Sequence, residues 1–173
     1  MTPSVIALVG PRGAGKSTVG RLAAERLGWA FCDADEALAA RVGMPAGEYL
    51  RRHGEPEFRR VEGEVTAELL GRESVVVALG GGGVLCPSVQ QQLARAQVAT
   101  AFLCAPVATL VDRIRDGGDR PALTSLPLER EVEAVLCARL QLYRSFARVE
   151  IDTAATSPVD AAAAVAALVV AAR

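Results

Sequence analysis

The sequence predicts an α/β fold: an open, five-stranded parallel sheet flanked by helices. Three observations carry this. Short apolar runs alternate with amphipathic helical stretches along the whole chain. Two of the runs, Ser4–Val9 and Ser74–Leu79, are almost continuously apolar, as strands buried on both faces must be. A glycine-rich turn, Gly10 to Gly15, lies between the first strand and the first helix, at a strand carboxyl end where such sheets gather ligands.

Each element has its own signal. The first helix, Gly15 to Leu27, has apolar residues at spacings of three and four (Val19, Leu22, Ala23, Leu27). Trp29–Cys32 is the second strand. Asp33–Val42 and Pro45–Arg52 read as short helices, the second opening at a proline. Glu55–Leu70 is a longer helix with Phe58, Val61, Val65 and Leu69 on one face. Ser74–Leu79 is the third strand, closed by four glycines, Gly80 to Gly83. Pro87–Ala94 is helical and Val98–Cys104 is the fourth strand. The helix Val107–Ile114 runs into a polar, glycine-bearing loop, Arg115 to Pro121. A long helix, Leu128–Phe146, a fifth strand, Arg148–Ile151, and a closing helix, Val159–Ala171, complete the chain. No internal repeat or linker divides it, so residues 1–173 are read as one domain.

Composition narrows the function. The chain has 19 basic and 20 acidic residues and a net charge of −1. A nucleic-acid binder usually carries a basic excess, so none is expected as a partner. No apolar run reaches the roughly 18 residues needed to span a bilayer, and no basic region precedes the first apolar stretch, so no membrane partner and a cytoplasmic location are expected. The four cysteines (Cys32, Cys86, Cys104, Cys137) form no CxxC pair, and reduced, partly buried thiols are expected. His53, beside Arg51 and Arg52, is the single histidine and reads as a solvated helix residue. A Ser/His/Asp triad of the usual kind or a multi-histidine metal site is therefore excluded. Of the 19 basic residues only Lys16 is a lysine. A guanidinium cannot replace a compact ammonium in a tight site, so Lys16 is the first place to look for chemistry.

Lys16 stands in Gly10-Pro11-Arg12-Gly13-Ala14-Gly15-Lys16-Ser17-Thr18, which matches the P-loop pattern G-x-x-x-x-G-K-[ST] between a strand and a helix. Its backbone N–H groups would cradle phosphates at a helix N-terminus, Lys16 would reach the β- and γ-phosphates, and Ser17 would ligate Mg²⁺. The guanine signature N-K-x-D is impossible without Asn or a second Lys, so at this size a small-molecule kinase is the natural class. Asp33 and Asp35 come directly after the second strand and should sit near the loop; taken alone, Asp33 reads better as a helix N-cap. Gly54 to Glu62 carries Arg59 and Arg60, which could bind a carboxylate or phosphate, but composition favours a solvated face with ion pairs such as Arg59–Glu62. Gly80–Gly83 end a buried strand, where backbone could approach a ligand closely.

Together the P-loop, D-x-D after the second strand, G-E-x-x-F-R-x-x-E, G-G-G after the third strand and a late R-P-x-L resemble the shikimate kinase family over essentially the whole chain. The resemblance implies the P-loop NTPase fold with a substrate-binding insert over about 33–70 and a mobile lid over about 113–126. It implies transfer of a phosphoryl group from ATP to the 3-hydroxyl of shikimate, in aromatic amino-acid biosynthesis, with Mg²⁺ as cofactor and a monomer as the working form. Residue by residue, Gly13, Ala14, Gly15, Lys16, Ser17 and Thr18 would hold ATP. Ser17 would bind Mg²⁺ and Asp33 would hold it through water. Asp35 would contact the shikimate hydroxyls and orient or deprotonate the attacking one. Arg59 and Arg139 would bind the carboxylate, and the backbone of Gly80, Gly81 and Gly82 would meet the substrate. Arg120 would be the lid arginine and Arg113 the one near adenine. Lys16, Asp35 and Arg120 are thus the catalytic candidates.

The chain departs from the family pattern in three places: Ala122 in the lid, Gly83 where alanine is common, and no arginine in the turn after Ile151-Asp152-Thr153. Two rivals share the P-loop. Another P-loop metabolite kinase would act on gluconate or a nucleoside monophosphate. A nucleotide-binding regulator without turnover would have no use for a closing lid arginine.

Overall fold

The structure, a computed structural model, describes residues 2–116 and 126–170. The expected lid loop, with Arg120 and Ala122, lies mostly outside these residues. In chain order the elements are β1 (Val5–Val9), α1 (Lys16–Leu27), β2 (Ala30–Asp33), α2 (Ala34–Val42), α3 (Ala46–Leu70), β3 (Val75–Ala78), a short 3₁₀ turn (Gly83–Leu85), α4 (Pro87–Leu93), β4 (Val98–Cys104), α5 (Val107–Asp116), α6 (Leu128–Phe146), β5 (Ala147–Asp152) and α7 (Pro158–Val170). The five strands form one sheet in the order β2-β3-β1-β4-β5, and every pairing is parallel. The predicted α/β architecture is the one observed.

Alternation along the strands builds two cores, one on each face. On β1, Val5, Ala7 and Val9 join a core with Phe58, Val61, Val65 and Leu69 of α3 and Tyr143 of α6. Ile6 and Leu8 point the other way, into a core with Val19 and Ala23 of α1, Leu110 of α5 and Val165 of α7. All five β1 residues are buried, which is why this strand reads as continuously apolar. Fully burying one such aliphatic side chain contributes about 1.5–3 kcal/mol.

The two helices expected before and after residue 54 run as one element, α3, broken at Gly54. Its φ of 79° and ψ of 167° are non-helical and lie in a region open in practice only to glycine. Pro56 then opens the second segment, where its missing N–H costs nothing. Beyond this break, the Glu55–Leu70 segment packs its buried face, Phe58, Val61, Val65 and Leu69, into the core with β1 and β3. His53 is exposed at the end of the first segment, with its ring 4.3 Å from that of Tyr49. Among the described residues no helix is long and apolar enough to cross a membrane.

Candidate active site

The strands are parallel, so all five carboxyl ends lie at one edge of the sheet. The motifs singled out in the sequence sit at these ends: the P-loop after β1, Asp33 and Asp35 at β2, the glycines after β3 and Thr153 after β5. The β-strand order changes direction at β1, the switch point at which such sheets bind ligands.

At that point lies a cavity of about 350 Å³ lined by Gly13, Gly15, Lys16, Ser17, Thr18, Asp33, Asp35, Gly80, Gly81 and Arg113. Gly15, at φ 84°, forms the left-handed N-cap of α1, so no side chain covers the helix N-terminus. Lys16 Nζ donates to the carbonyls of Gly10 and Pro11, both at 2.8 Å. The Ser17 hydroxyl donates to Asp33 Oδ2 at 2.5 Å. Asp33 Oδ1 meanwhile accepts from the amides of Asp35 at 2.9 Å and Glu36 at 3.4 Å. Asp33 thus caps α2 with one oxygen and faces the serine of the loop with the other. A hydroxyl and a carboxylate at the rim of a phosphate-sized cavity are hard oxygen donors that suit Mg²⁺. Among the described residues no cluster of three or more His, Cys, Asp or Glu side chains could hold a metal, so a metal there would need phosphate and water as further ligands.

A second cavity, of about 130 Å³, adjoins the first. Its walls include Asp35, Leu50, Phe58, Arg59, Glu62, Gly81, Gly82 and Arg139. The three predicted substrate side chains, brought from β2–α2, α3 and α6, therefore converge. Asp35 and Gly81 line both cavities and mark where they meet.

The glycine run has a spatial explanation. A Cβ on Gly80 would lie 2.6 Å from Glu62 Oε1 and 3.0 Å from Asp35 Oδ1. A Cβ on Gly82 would lie 2.0 Å from Arg59 Nη1. These two positions stay empty so that two carboxylates and a guanidinium can reach the backbone. A Cβ on Gly83 would meet only Leu79, at 3.8 Å, an ordinary contact that agrees with alanine being common there.

The solvated-face reading of Gly54–Glu62 needs correction. The Arg59–Glu62 pair forms, with Nη1 at 2.6 Å from Oε2, but the side chains are only 21% and 4% exposed. Arg60 is the solvated one, paired with Glu57 and Glu64. Burial pushes the Glu62 carboxyl above its ordinary range; Arg59 opposes this, Asp35 adds to it, and Arg139 opposes it. Arg59 is itself half-buried, which works against its charge, yet Glu62 and Glu55 hold it firmly protonated.

Arg113 lines the P-loop cavity and ties the loop to the β5–α7 turn. It donates to the Gly13 carbonyl at 3.2 Å, to Thr153 Oγ1 at 2.9 Å and to the Thr153 carbonyl at 2.8 Å. Thr153 Oγ1 in turn lies 3.1 Å from the carbonyls of Ala14 and Cys104. Sequence reasoning missed Thr153 as a node. It also missed Arg12, which lines both cavities from a variable position of the loop pattern, and the burial of Glu62. The cysteines are all free; Cys86 is buried, Cys32 and Cys104 half-buried, and Cys137 exposed.

A phosphate-binding loop that opens directly onto an arginine-bearing pocket is the arrangement of a P-loop kinase, a phosphotransferase that passes a phosphoryl group from a nucleoside triphosphate to a small acceptor. A family model described as shikimate kinase matches residues 12–170, and the chain belongs to the shikimate kinase family. A shikimate kinase of Halorhodospira halophila is 43% identical over 152 residues, covering 88% of this chain and 85% of that protein. The solved shikimate kinase from Acinetobacter baumannii in complex with shikimate superposes with a TM-score of 0.90 at 32% identity, covering 99% of this chain and 96% of that one. A gluconokinase from Sinorhizobium meliloti, of the rival class, covers the same 99% of this chain and 96% of its own with a TM-score of only 0.63, at 25% identity.

Proposed function

We propose that the protein phosphorylates the 3-hydroxyl of shikimate with ATP, releasing shikimate 3-phosphate and ADP. The observation that carries this reading is the position of Asp35 at the junction of the two cavities, with Lys16 on one side and Arg59 and Arg139 on the other. A carboxylated polyol offers a matching pattern: one anionic group for two arginines and hydroxyls for an aspartate.

Arg59 and Arg139 hold the carboxylate at the far wall. This points the ring hydroxyls toward Asp35, against the backbone of Gly80–Gly82. Asp35 orients the 3-hydroxyl and accepts its proton as the oxygen bonds to the γ-phosphorus. The bond from that phosphorus to the β–γ bridging oxygen breaks, and ADP leaves. Gly13–Thr18 hold the phosphates through backbone N–H groups, and Lys16 balances the charge gathering on the β- and γ-oxygens. Arg113 anchors the loop on the nucleotide side. Arg120, outside the described residues, is assigned the closing role on the phosphates. Ser17 and Asp33 would hold Mg²⁺, whose contribution when bound is to neutralise phosphate charge. The protein supplies positioning and electrostatics rather than a covalent intermediate, and positioning of this kind lowers barriers by about 7–11 kcal/mol. Every group needed comes from one chain, so a monomer suffices.

Coupled ADP release tests the reading. With ATP and Mg²⁺, shikimate should support turnover, while gluconate and nucleoside monophosphates should not. Turnover on either rival acceptor with none on shikimate would reassign the enzyme.

A further inference from the structure

The Tyr143 side chain is fully buried, yet it ends in a hydroxyl. Its ring stacks on Phe102 of β4, with centroids 5.2 Å apart at 23°. Its hydroxyl donates to the Gly81 carbonyl at 2.6 Å, 62 residues away in sequence. The Arg139 guanidinium, one helical turn earlier on α6, faces the same hydroxyl. Arg139 Nη1 also lies 3.8 Å from where a Gly81 Cβ would stand. One oxygen thus bonds one group that walls the acceptor cavity, the Gly81 carbonyl, and lies beside a second, the Arg139 guanidinium. Packing alone would be served as well by phenylalanine, and burying a hydroxyl without a partner costs about 1–3 kcal/mol. Here the hydroxyl has a partner, the carbonyl of a glycine that walls the acceptor cavity.

We infer that Tyr143 is a positioning residue: its hydroxyl sets the distance between the Gly81 backbone and the Arg139 guanidinium, and so the fit of the acceptor's anionic end. This rests on the acceptor assignment above and deepens it. Gly81 and Arg139 both wall the acceptor cavity, so the inference predicts a split between the two substrates. A carbonyl held from behind by a hydroxyl donor keeps its peptide plane fixed, and a hydroxyl oxygen beside a guanidinium biases where that cation rests before ligand arrives. Both effects act on acceptor binding.

The experiment is Tyr143→Phe, which removes one atom and keeps the ring on Phe102. Phe102→Leu, which loosens the stacking and keeps the hydroxyl, is the packing control. In Tyr143→Phe the KM for the acceptor should rise roughly 3- to 10-fold, the scale of one buried hydrogen bond. The KM for ATP should stay within about twofold by the same argument. Phe102→Leu should lower thermal stability without that selective shift. The inference is overturned if Tyr143→Phe leaves the acceptor KM unchanged, if both KM values rise together, or if Phe102→Leu reproduces the selective loss. A Tyr143→Phe protein that does not fold would overturn it too, by making the hydroxyl a determinant of the fold. Failure of the acceptor assignment is seen separately: the parent protein would then turn over a different acceptor, and the split is read on that one.

Discussion

Arg59 and Glu62 are joined across one turn of α3 by a 2.6 Å ion pair whose acid is buried and whose base faces the acceptor cavity. Glu62 lines the same cavity and carries the charge that pairs with this arginine, and its carboxyl is held above the ordinary range chiefly by burial. As pH falls, Glu62 therefore takes up a proton before a surface carboxylate would. Between the raised value and the ordinary 4.5 the folded state binds the extra proton, so this group favours folding more as pH falls and less as it rises. Binding moves the other way, because a neutral Glu62 no longer holds the Arg59 guanidinium in place through its charge. The KM for shikimate should climb on an acid limb centred above 4.5. In Glu62→Gln, which resembles the protonated form, that limb should move to lower pH, where other carboxylates titrate. A pH profile of KM for both proteins checks this; an unmoved limb would show that Glu62 does not govern it.

The glycine run makes a sharper steric prediction. In Gly82→Ala the new Cβ would meet Arg59 Nη1 at 2.0 Å, and the flexible guanidinium would swing away. The protein should fold, with the shikimate KM raised about tenfold or more, the scale of a lost charge-assisted bond. Gly83→Ala, with only an ordinary contact to Leu79, should match the parent in both KM and melting temperature. Steady-state kinetics and thermal melts of the two variants decide the matter, and equal behaviour would refute the spatial account.

Lys16 should not accept its nearest substitute. Its ammonium donates to two loop carbonyls at 2.8 Å, within a turn too narrow for a planar fork. Lys16→Arg should keep the fold, as read by circular dichroism, and lose roughly 10²-fold or more in kcat, in line with removal of a preorganised charge. Parent-like turnover in the folded variant would contradict this.

The double duty of Asp33 can be split chemically. Asn caps helices about as well as Asp, so Asp33→Asn should leave stability within about 0.5 kcal/mol. It removes the charge beside Ser17, so the Mg²⁺ concentration needed for half-maximal rate should rise several-fold. Asp33→Ala should lose the cap as well, at a cost of about 1 kcal/mol. Magnesium titrations and urea unfolding of the two variants separate the roles.

Local signals made most of this legible in the sequence. The strands are short apolar runs, and Leu128–Phe146 is helical over the length that its spacing predicts. The expected helices stop at Arg52 and restart at Glu55, so the break at Gly54 is visible as a gap. Asp33, Asp35, Arg59 and Arg139 were identified by their motifs, and the fold brings all four to the two adjoining cavities. What stayed hidden depends on contacts between distant elements. Glu62 has the spacing of a surface ion pair, and nothing local says that β3 and its glycines will cover it. Tyr143 occupies an ordinary apolar position of α6; its hydroxyl matters only because Gly81 arrives after β3, two strands away from the β4 residue on which its ring stacks. Thr153 looks like a turn residue until Arg113 and the P-loop close around it.

The central claim, that Arg59 and Arg139 grip the carboxylate of shikimate, is tested most directly by calorimetric titration of shikimate into the parent, Arg59→Ala and Arg139→Ala. Each charge-assisted bond is worth about 1.5–3 kcal/mol, so each variant should bind shikimate roughly 10- to 150-fold more weakly while a non-hydrolysable ATP analogue binds as before. Shikimate affinity equal to the parent's in both variants would contradict the account and return the acceptor assignment to the other P-loop metabolite kinases.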